Sequence, residues 1–75
     1  MGLKFDLSEL KGRIVSRCGD YASFAKTVGL SRAQLSERLS GKRYFKPDEI
    51  YRICDPAILD IPGDEIGRYF FTPKV

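Results

Sequence analysis

Hydrophobic residues recur at helical spacing in the first part of the chain. Five of them place one apolar stripe on a helix predicted from about Ser8 to Arg17, which Gly19 ends. Asp20 is a favourable N-cap for a second helix, from Tyr21 to Val28, and Gly29 ends that helix because glycine adopts the left-handed backbone without steric cost. The residues of the first stripe are Leu7, Leu10, Ile14, Val15 and Cys18.

The second part of the chain predicts three more helices. The third runs from Arg32 to Ser40, and Pro47 suits the first position of a fourth helix that Pro56 limits. A fifth, short helix runs from Pro62 through Phe70. No strand-like alternation of any length competes with these helices, although residues 68–71 could be extended. The pattern therefore predicts an all-α fold, a compact five-helix bundle that forms a single domain of residues 1–75.

Charge is divided unevenly between the two parts of this bundle. The net charge is +3, but residues 1–46 hold ten Lys and Arg against four Asp and Glu, whereas residues 47–75 hold three against six. A basic half beside an acidic half favours one face for an anionic polymer and another face that does not contact it. A small domain with uneven charge and no such partner is the alternative.

Several functional classes are not expected from the composition. Histidine is absent, and Cys18 and Cys54 are distant from each other, so the chain lacks the ligands of a structural zinc site. Both thiols fall at positions where helical spacing favours a hydrophobe, and we expect them to pack in the core; a disulfide or redox role is the alternative.

No apolar run approaches the roughly 20 residues of a membrane span. The first residues lack the apolar block of a signal peptide, and we expect a cytoplasmic protein.

Catalysis is not expected either. The chain has no phosphate-binding Gly-Lys-Ser/Thr loop and no nucleophile elbow. The acidic pairs Asp48-Glu49 and Asp64-Glu65 resemble catalytic carboxylates, but both stand at predicted helix starts, where they complement the helix dipole. We therefore expect a protein that is not an enzyme and that needs no cofactor, metal or small-molecule substrate.

Residues 21–40 predict a helix-turn-helix motif. A turn of only three residues, Val28-Gly29-Leu30, joins the second and third helices, so the two must cross steeply. Ala25 is small where they cross, and Leu35 attaches the third helix to the core. A helix held outward in this way fits the major groove of DNA.

The outward face of the third helix is the candidate reading surface. Arg32 has the donors for guanine, Gln34 has the amide for adenine, and Ala33 has a methyl group for thymine. Arg38 lies at a partly buried edge, and we expect it to extend its charged end into solvent rather than contact a base. Solvation alone is the competing interpretation for each exposed polar side chain. A basic loop suited to phosphates follows, with Lys42, Arg43 and Lys46.

The stretch FAKTVGLSRAQLSERLSGK resembles the helix-turn-helix of the Cro and repressor proteins of bacteriophages. A narrower group, the small Cro-like switch proteins of prophages in Gram-positive bacteria, is similar in three further segments: FDLSELKGRIV, YFKPDEI and DIPGDEIGRYFFTPKV. The resemblance implies a lambda-repressor-like fold of five helices and a role in the choice between lytic and lysogenic growth. The DNA contacts that it implies are Tyr21, Arg32, Ala33, Gln34, Ser36 and Glu37.

Two departures from that family bear on the packing of the third helix and on the partner. Arg38 stands where the family usually has a hydrophobe, and the acidic Glu37 on the reading face would repel phosphate. The resemblance implies a transcriptional regulator that binds double-stranded operator DNA. The alternative that it also implies is a modulator that binds the phage repressor protein instead of DNA.

The end of the chain is unusually apolar for a terminal segment. An exposed apolar cluster marks a partner surface, and a second copy of the chain or the phage repressor are the two expected partners. Folding of this segment over the core is the alternative. The residues concerned are Tyr69, Phe70, Phe71 and Val75.

Overall fold

Five α-helices and one 3-10 turn organise residues 4–74, the part of the chain that this computed structural model describes. The predicted all-α, five-helix fold is confirmed. Within the described residues the only β pairing is one isolated bridge. The helices are α1 (Ser8–Cys18), α2 (Tyr21–Val28), α3 (Arg32–Leu39), α4 (Pro47–Ile53) and α5 (Ile66–Phe70), and the 3-10 turn is Gly63–Glu65.

Most helix boundaries follow the predicted caps. The Asp20 carboxylate accepts the Ser23 N–H at 2.7 Å at the start of α2, and Pro47 is the first residue of α4. The fifth helix is shorter than predicted. Pro62 has an extended backbone and the next residues form the 3-10 turn, so that α5 begins only at Ile66.

The turn between α2 and α3 depends on glycine. Gly29 has a φ of 79°, in the left-handed region that side chains disfavour. The Leu30 N–H then donates to the Ala25 carbonyl at 2.9 Å, which closes the end of α2. A β-carbon at position 29 would also lie 3.4 Å from Nη1 of Arg52. Position 29 therefore favours glycine for two reasons: its backbone is left-handed, and the Arg52 side chain lies close beside it.

The core lies between the helices and takes a residue from each predicted stripe. Ala25 and Leu35, the two side chains expected at the crossing of α2 and α3, are buried. Cys18 and Cys54 are free thiols that pack against this core, and burial raises the pKa of the Cys54 thiol. The largest fully buried side chains are Phe24, Leu10, Ile14, Ile53 and Leu59.

A buried ion pair joins α3 to α4. Nε of Arg38 donates to Oε1 of Glu49 at 2.8 Å, and Nη2 donates to Oε2 at 3.0 Å. Arg38 was expected to extend its charged end into solvent, and this prediction was wrong: its side chain is only 7% exposed. The remaining groups are also bonded, because Arg38 donates to the Gln34 carbonyl and Glu49 accepts the Lys46 N–H. The pair is therefore fully hydrogen-bonded, as buried charges must be.

Two arginines of α1 hold the connector between α4 and α5. Nε and Nη2 of Arg13 donate to the carbonyls of Leu59 and Asp60, both at 2.8 Å. Arg17 donates to the Pro56 carbonyl at 3.2 Å. Two cations of the basic half thus serve to fix a loop.

The two ends of the described chain meet, which the sequence pattern did not predict. Phe5 and Pro73 form an antiparallel bridge. The Asp6 N–H donates to the Thr72 carbonyl at 2.7 Å, and the Lys74 N–H donates to the Lys4 carbonyl at 3.0 Å. This pairing brings the first and last aromatic rings of the described chain together.

Glu49→Ala is expected to cost about 3–5 kcal/mol of unfolding free energy, because it leaves the Arg38 charge buried and unpaired. Urea unfolding measures this loss. The matched control is Asp48→Ala, which removes an exposed carboxylate 3.9 Å from Arg52 and should cost less than about 1 kcal/mol. Combining Arg38→Met with Glu49→Leu should recover most of the stability. If Glu49→Ala and Asp48→Ala lower the unfolding free energy equally, the pair of Arg38 and Glu49 does not have this stabilising role.

The same pair makes stability depend on pH. Burial alone would raise the pKa of Glu49, but hydrogen bonds from Arg38 and the Lys46 N–H, with both positive charges, lower it below 4.5. A lowered folded pKa means that the stabilisation is complete above the unfolded value and is lost as the pH falls through the folded value. The difference in unfolding free energy between wild type and Glu49→Gln should therefore narrow below pH 4.5. A difference that stays constant into strong acid would refute this role.

Candidate functional site

One side of α3 is open to solvent and forms the candidate site. Arg32, Ala33 and Ser36 are exposed, whereas Leu35 and Leu39 on the opposite side are buried. The spacing of the inward leucines thus turns the small polar residues outward, as the sequence predicts. We call this outward side, with Gln34 and Glu37, the α3 face.

Residues of α1, α2 and α3 converge beside the α3 face. Tyr21, at the start of α2, is 41% exposed. It lines a shallow depression of about 350 Å³ together with Lys11, Arg32 and Ser36. The structure therefore brings together three of the residues that the sequence selected, Tyr21, Arg32 and Ser36. Lys11 was not among the selected residues, since it lies outside the apolar stripe of α1 and outside the predicted helix-turn-helix motif.

Gln34 is engaged within its own helix. Its Oε1 accepts the Ser31 N–H at 2.9 Å, and Oγ of Ser31 accepts the Gln34 N–H at 3.0 Å. This reciprocal arrangement is a capping box at the start of α3. The expected two-point contact of Gln34 with adenine needs the same oxygen. In this conformation Oε1 accepts the Ser31 N–H, so this oxygen is not free to bind adenine. The signal was present in the sequence, as Ser-x-x-Gln before the Leu35 stripe.

The basic loop folds back against the end of α3. The Glu37 carbonyl accepts the N–H groups of Lys42 and Arg43, at 2.9 and 3.2 Å. Nε of Arg43 also lies 3.4 Å from Oε1 of Glu37. One of the three predicted phosphate contacts is thus paired with an acid of the α3 face. Lys42 and Lys46 are exposed.

A second acid stands at the other end of the α3 face. The hydrogen bond from the Ser23 N–H lowers the pKa of Asp20, and the nearby Arg32 charge lowers it further. Asp20 therefore stays ionised at the N-terminus of α2, where it satisfies the positive end of the helix dipole. The sequence identified Asp20 as a cap, but not as a charge beside the α3 face.

Arg52 is a positioning residue that the sequence did not reveal. Its Nη1 donates to the Val28 carbonyl at 2.6 Å, which ties α4 to the last turn of α2. The two residues are far apart in the chain, and the sequence pattern assigned no role to Arg52. No local signal could have found this contact.

The predicted partner residues at the end of the chain separate into two groups. Tyr69 and Phe70 are buried in the core, 6% and 3% exposed, so they are not the exposed surface that was expected. Phe71 is 49% exposed. Val75 lies outside the described residues. The terminal segment thus folds over the core and leaves one aromatic ring at the surface.

Two observations concern other kinds of site. Within residues 4–74, no three side chains of His, Cys, Asp or Glu are grouped so that they could hold a metal ion. Of the helices described, none has the length and apolar character needed to cross a membrane.

A protein-family model described as "Protein of unknown function (DUF739)" matches residues 3–73, nearly the whole chain. The chain belongs to this family. Among solved structures, a similar one is the solution structure of the modulator of repression of the temperate bacteriophage TP901-1 from Lactococcus lactis. The two sequences are 35% identical, the match covers 91% of this chain and 89% of that one, and the TM-score is 0.77. No curated protein matches the chain.

Ser31→Ala is expected to lower the unfolding free energy by about 1 kcal/mol, because it removes the side-chain acceptor of the α3 cap. Gln34→Glu should keep the stability, since glutamate serves equally in a capping box. The matched control is Ser36→Ala on the α3 face, which should change the urea midpoint little. If Ser36→Ala costs as much as Ser31→Ala, the stabilising role of the cap is refuted.

Proposed function

We propose that the chain is a phage regulatory protein that binds a phage repressor through the α3 face and thereby modulates repression. The observation that carries the proposal is the mixed charge of this face. Asp20 and Glu37 stand at its two ends, with Arg32 between them and Arg43 paired to Glu37. Alternating charge of this kind complements another protein surface, where it gives register and specificity.

The same arrangement is less suited to DNA. The N-terminus of a helix is a ready site for a phosphate, but at α2 the Asp20 carboxylate already occupies it. Glu37 repels phosphates, and Oε1 of Gln34 is engaged in the cap. Three of the predicted base readers have charged or amide groups: Arg32, Gln34 and Glu37. Gln34 is engaged in the capping box and Glu37 is paired with Arg43, whereas Arg32 takes part in neither arrangement.

Similarity to the modulator of repression supports the proposal independently. The likeness extends over nine-tenths of both chains and includes both the fold and about a third of the sequence. We propose that this protein shares the regulatory role that the name describes. We further propose that it works in the cytoplasm as a binding protein, without a catalytic step, cofactor or metal.

Binding to operator DNA is the second candidate function. The observation that favours it is the cluster of Tyr21, Arg32 and Lys11 beside the α3 face, with exposed Lys42 and Lys46 in the loop that follows. These cations are suited to phosphates, and the Arg32 guanidinium is suited to guanine. In this interpretation α2 and α3 act as a helix-turn-helix reading unit.

Fluorescence anisotropy distinguishes the two candidates. The full chain is titrated onto labelled cognate repressor and, separately, onto the labelled intergenic duplex beside its own gene. Glu37→Lys is expected to weaken repressor binding about tenfold, because it reverses the charge of an acid on the α3 face, yet to strengthen non-specific binding to duplex. Tyr51→Ala, at an exposed position of α4, is the control that should leave both affinities unchanged.

Specific duplex binding by the chain alone would contradict the proposal. Its signature is a preference for the intergenic duplex over random duplex, with an affinity that falls steeply as the salt concentration rises. That result would establish the second candidate instead.

A further inference from the structure

An apolar groove lies between the paired chain ends, the loop that precedes α4, and α5. Its edge at Arg43 and Tyr44 adjoins Gln34 and Glu37 of the α3 face. Its volume is about 440 Å³. We call it the terminal groove. The residues that shape it are Phe5, Tyr44, Phe45, Ile50, Phe70 and Phe71.

Two exposed aromatic rings form the walls of the terminal groove. Tyr44 is 53% exposed and Phe71 is 49% exposed. Both contact Phe5, with ring centroids 5.8 and 5.5 Å apart. Phe5 is itself held by the bridge to Pro73. The groove is therefore shaped in the folded chain before any partner arrives, which reduces the ordering cost of binding.

Large exposed apolar side chains that converge on one groove are typical of a binding surface. A buried floor completes it, since Phe70 and Ile50 belong to the core. The ring of Phe45 stands edge-on to that of Phe70, with centroids 5.4 Å apart. Aromatic walls over an apolar floor are suited to the side chains of a partner helix or extended segment.

The rim of the terminal groove determines the sign of its partner's charge. Lys4 and Arg43 line it, together with the buried Arg38, and no acidic residue among those described does so. Glu37 and Glu49 offset Arg43 and Arg38 from outside the groove. Lys4 is the rim cation that neither of these acids offsets, so a partner that places apolar side chains here meets its positive charge at the edge and gains from acidic flanks.

We propose that the terminal groove docks an acidic, apolar segment of a partner protein. Two or more large apolar side chains of that segment enter between Tyr44 and Phe71, and its carboxylates lie against Lys4. This docking surface adjoins the α3 face at Arg43, which pairs with Glu37, but it does not depend on the function proposed for that face.

Selection from a displayed library of random 12-residue peptides tests the proposal with a defined probe. The full chain is immobilised, and enriched peptides are synthesised, labelled and titrated by fluorescence anisotropy. Enriched sequences should combine at least two large apolar residues with net negative charge. Phe71→Ala and Lys4→Glu should each weaken their binding about tenfold. Lys4→Glu keeps the proposal testable if Phe71→Ala disturbs the fold, because the Lys4 side chain is exposed.

Matched controls locate the effect. Lys26→Glu reverses an exposed charge on α2, and Tyr51→Ala removes the most exposed aromatic ring on α4; neither should change peptide affinity. Arg32→Ala should also leave it unchanged, which separates this docking surface from the α3 face. Enrichment of neutral or basic peptides would overturn the proposal, as would equal affinity for the Lys4→Glu variant. Sedimentation that shows self-association abolished by Phe71→Ala would overturn it in favour of a second copy in the groove.

Discussion

The orientation of α3 depends on the buried pair of Arg38 and Glu49. Glu49 binds the Arg38 guanidinium through both oxygens and also accepts the Lys46 N–H at the start of α4. One carboxylate therefore begins α4 and fixes α3 against it. Arg52 completes the arrangement from the other end of α4, through the Val28 carbonyl at the end of α2. The α3 face is thus positioned by polar contacts to α4 as well as by the leucines beneath it.

The sequence predicted the parts of this structure that depend on local chemistry. Apolar stripes and caps such as Asp20 define the helices, because side-chain spacing and the free N–H groups of a helix start act within a few residues. The pairing of Phe5 with Pro73 and the contact of Arg52 with Val28 join residues far apart in the chain, and periodicity carries no information about them. Arg38 was misinterpreted for the same reason, since its acid lies on another helix.

The candidate site shows a different ambiguity of the sequence. Gln34 was interpreted as a base reader although Ser31 three residues earlier forms a capping box with it, because an exposed amide fits both roles in sequence. The structure separates them through hydrogen bonds. The sequence already identified Glu37 as an acid on this face, and the structure adds Asp20, whose charge interacts with that of Arg32. This second acid moves the preferred partner from DNA to a protein.

We propose that the α3 face binds the repressor and not the operator. The most direct test is a titration of the ¹⁵N-labelled full chain, first with the intergenic duplex and then with unlabelled repressor, followed by amide NMR shifts. We expect only the repressor to perturb the amides of Asp20, Arg32, Ser36 and Glu37. Perturbation of these same amides by the duplex alone, and not by the repressor, would contradict it.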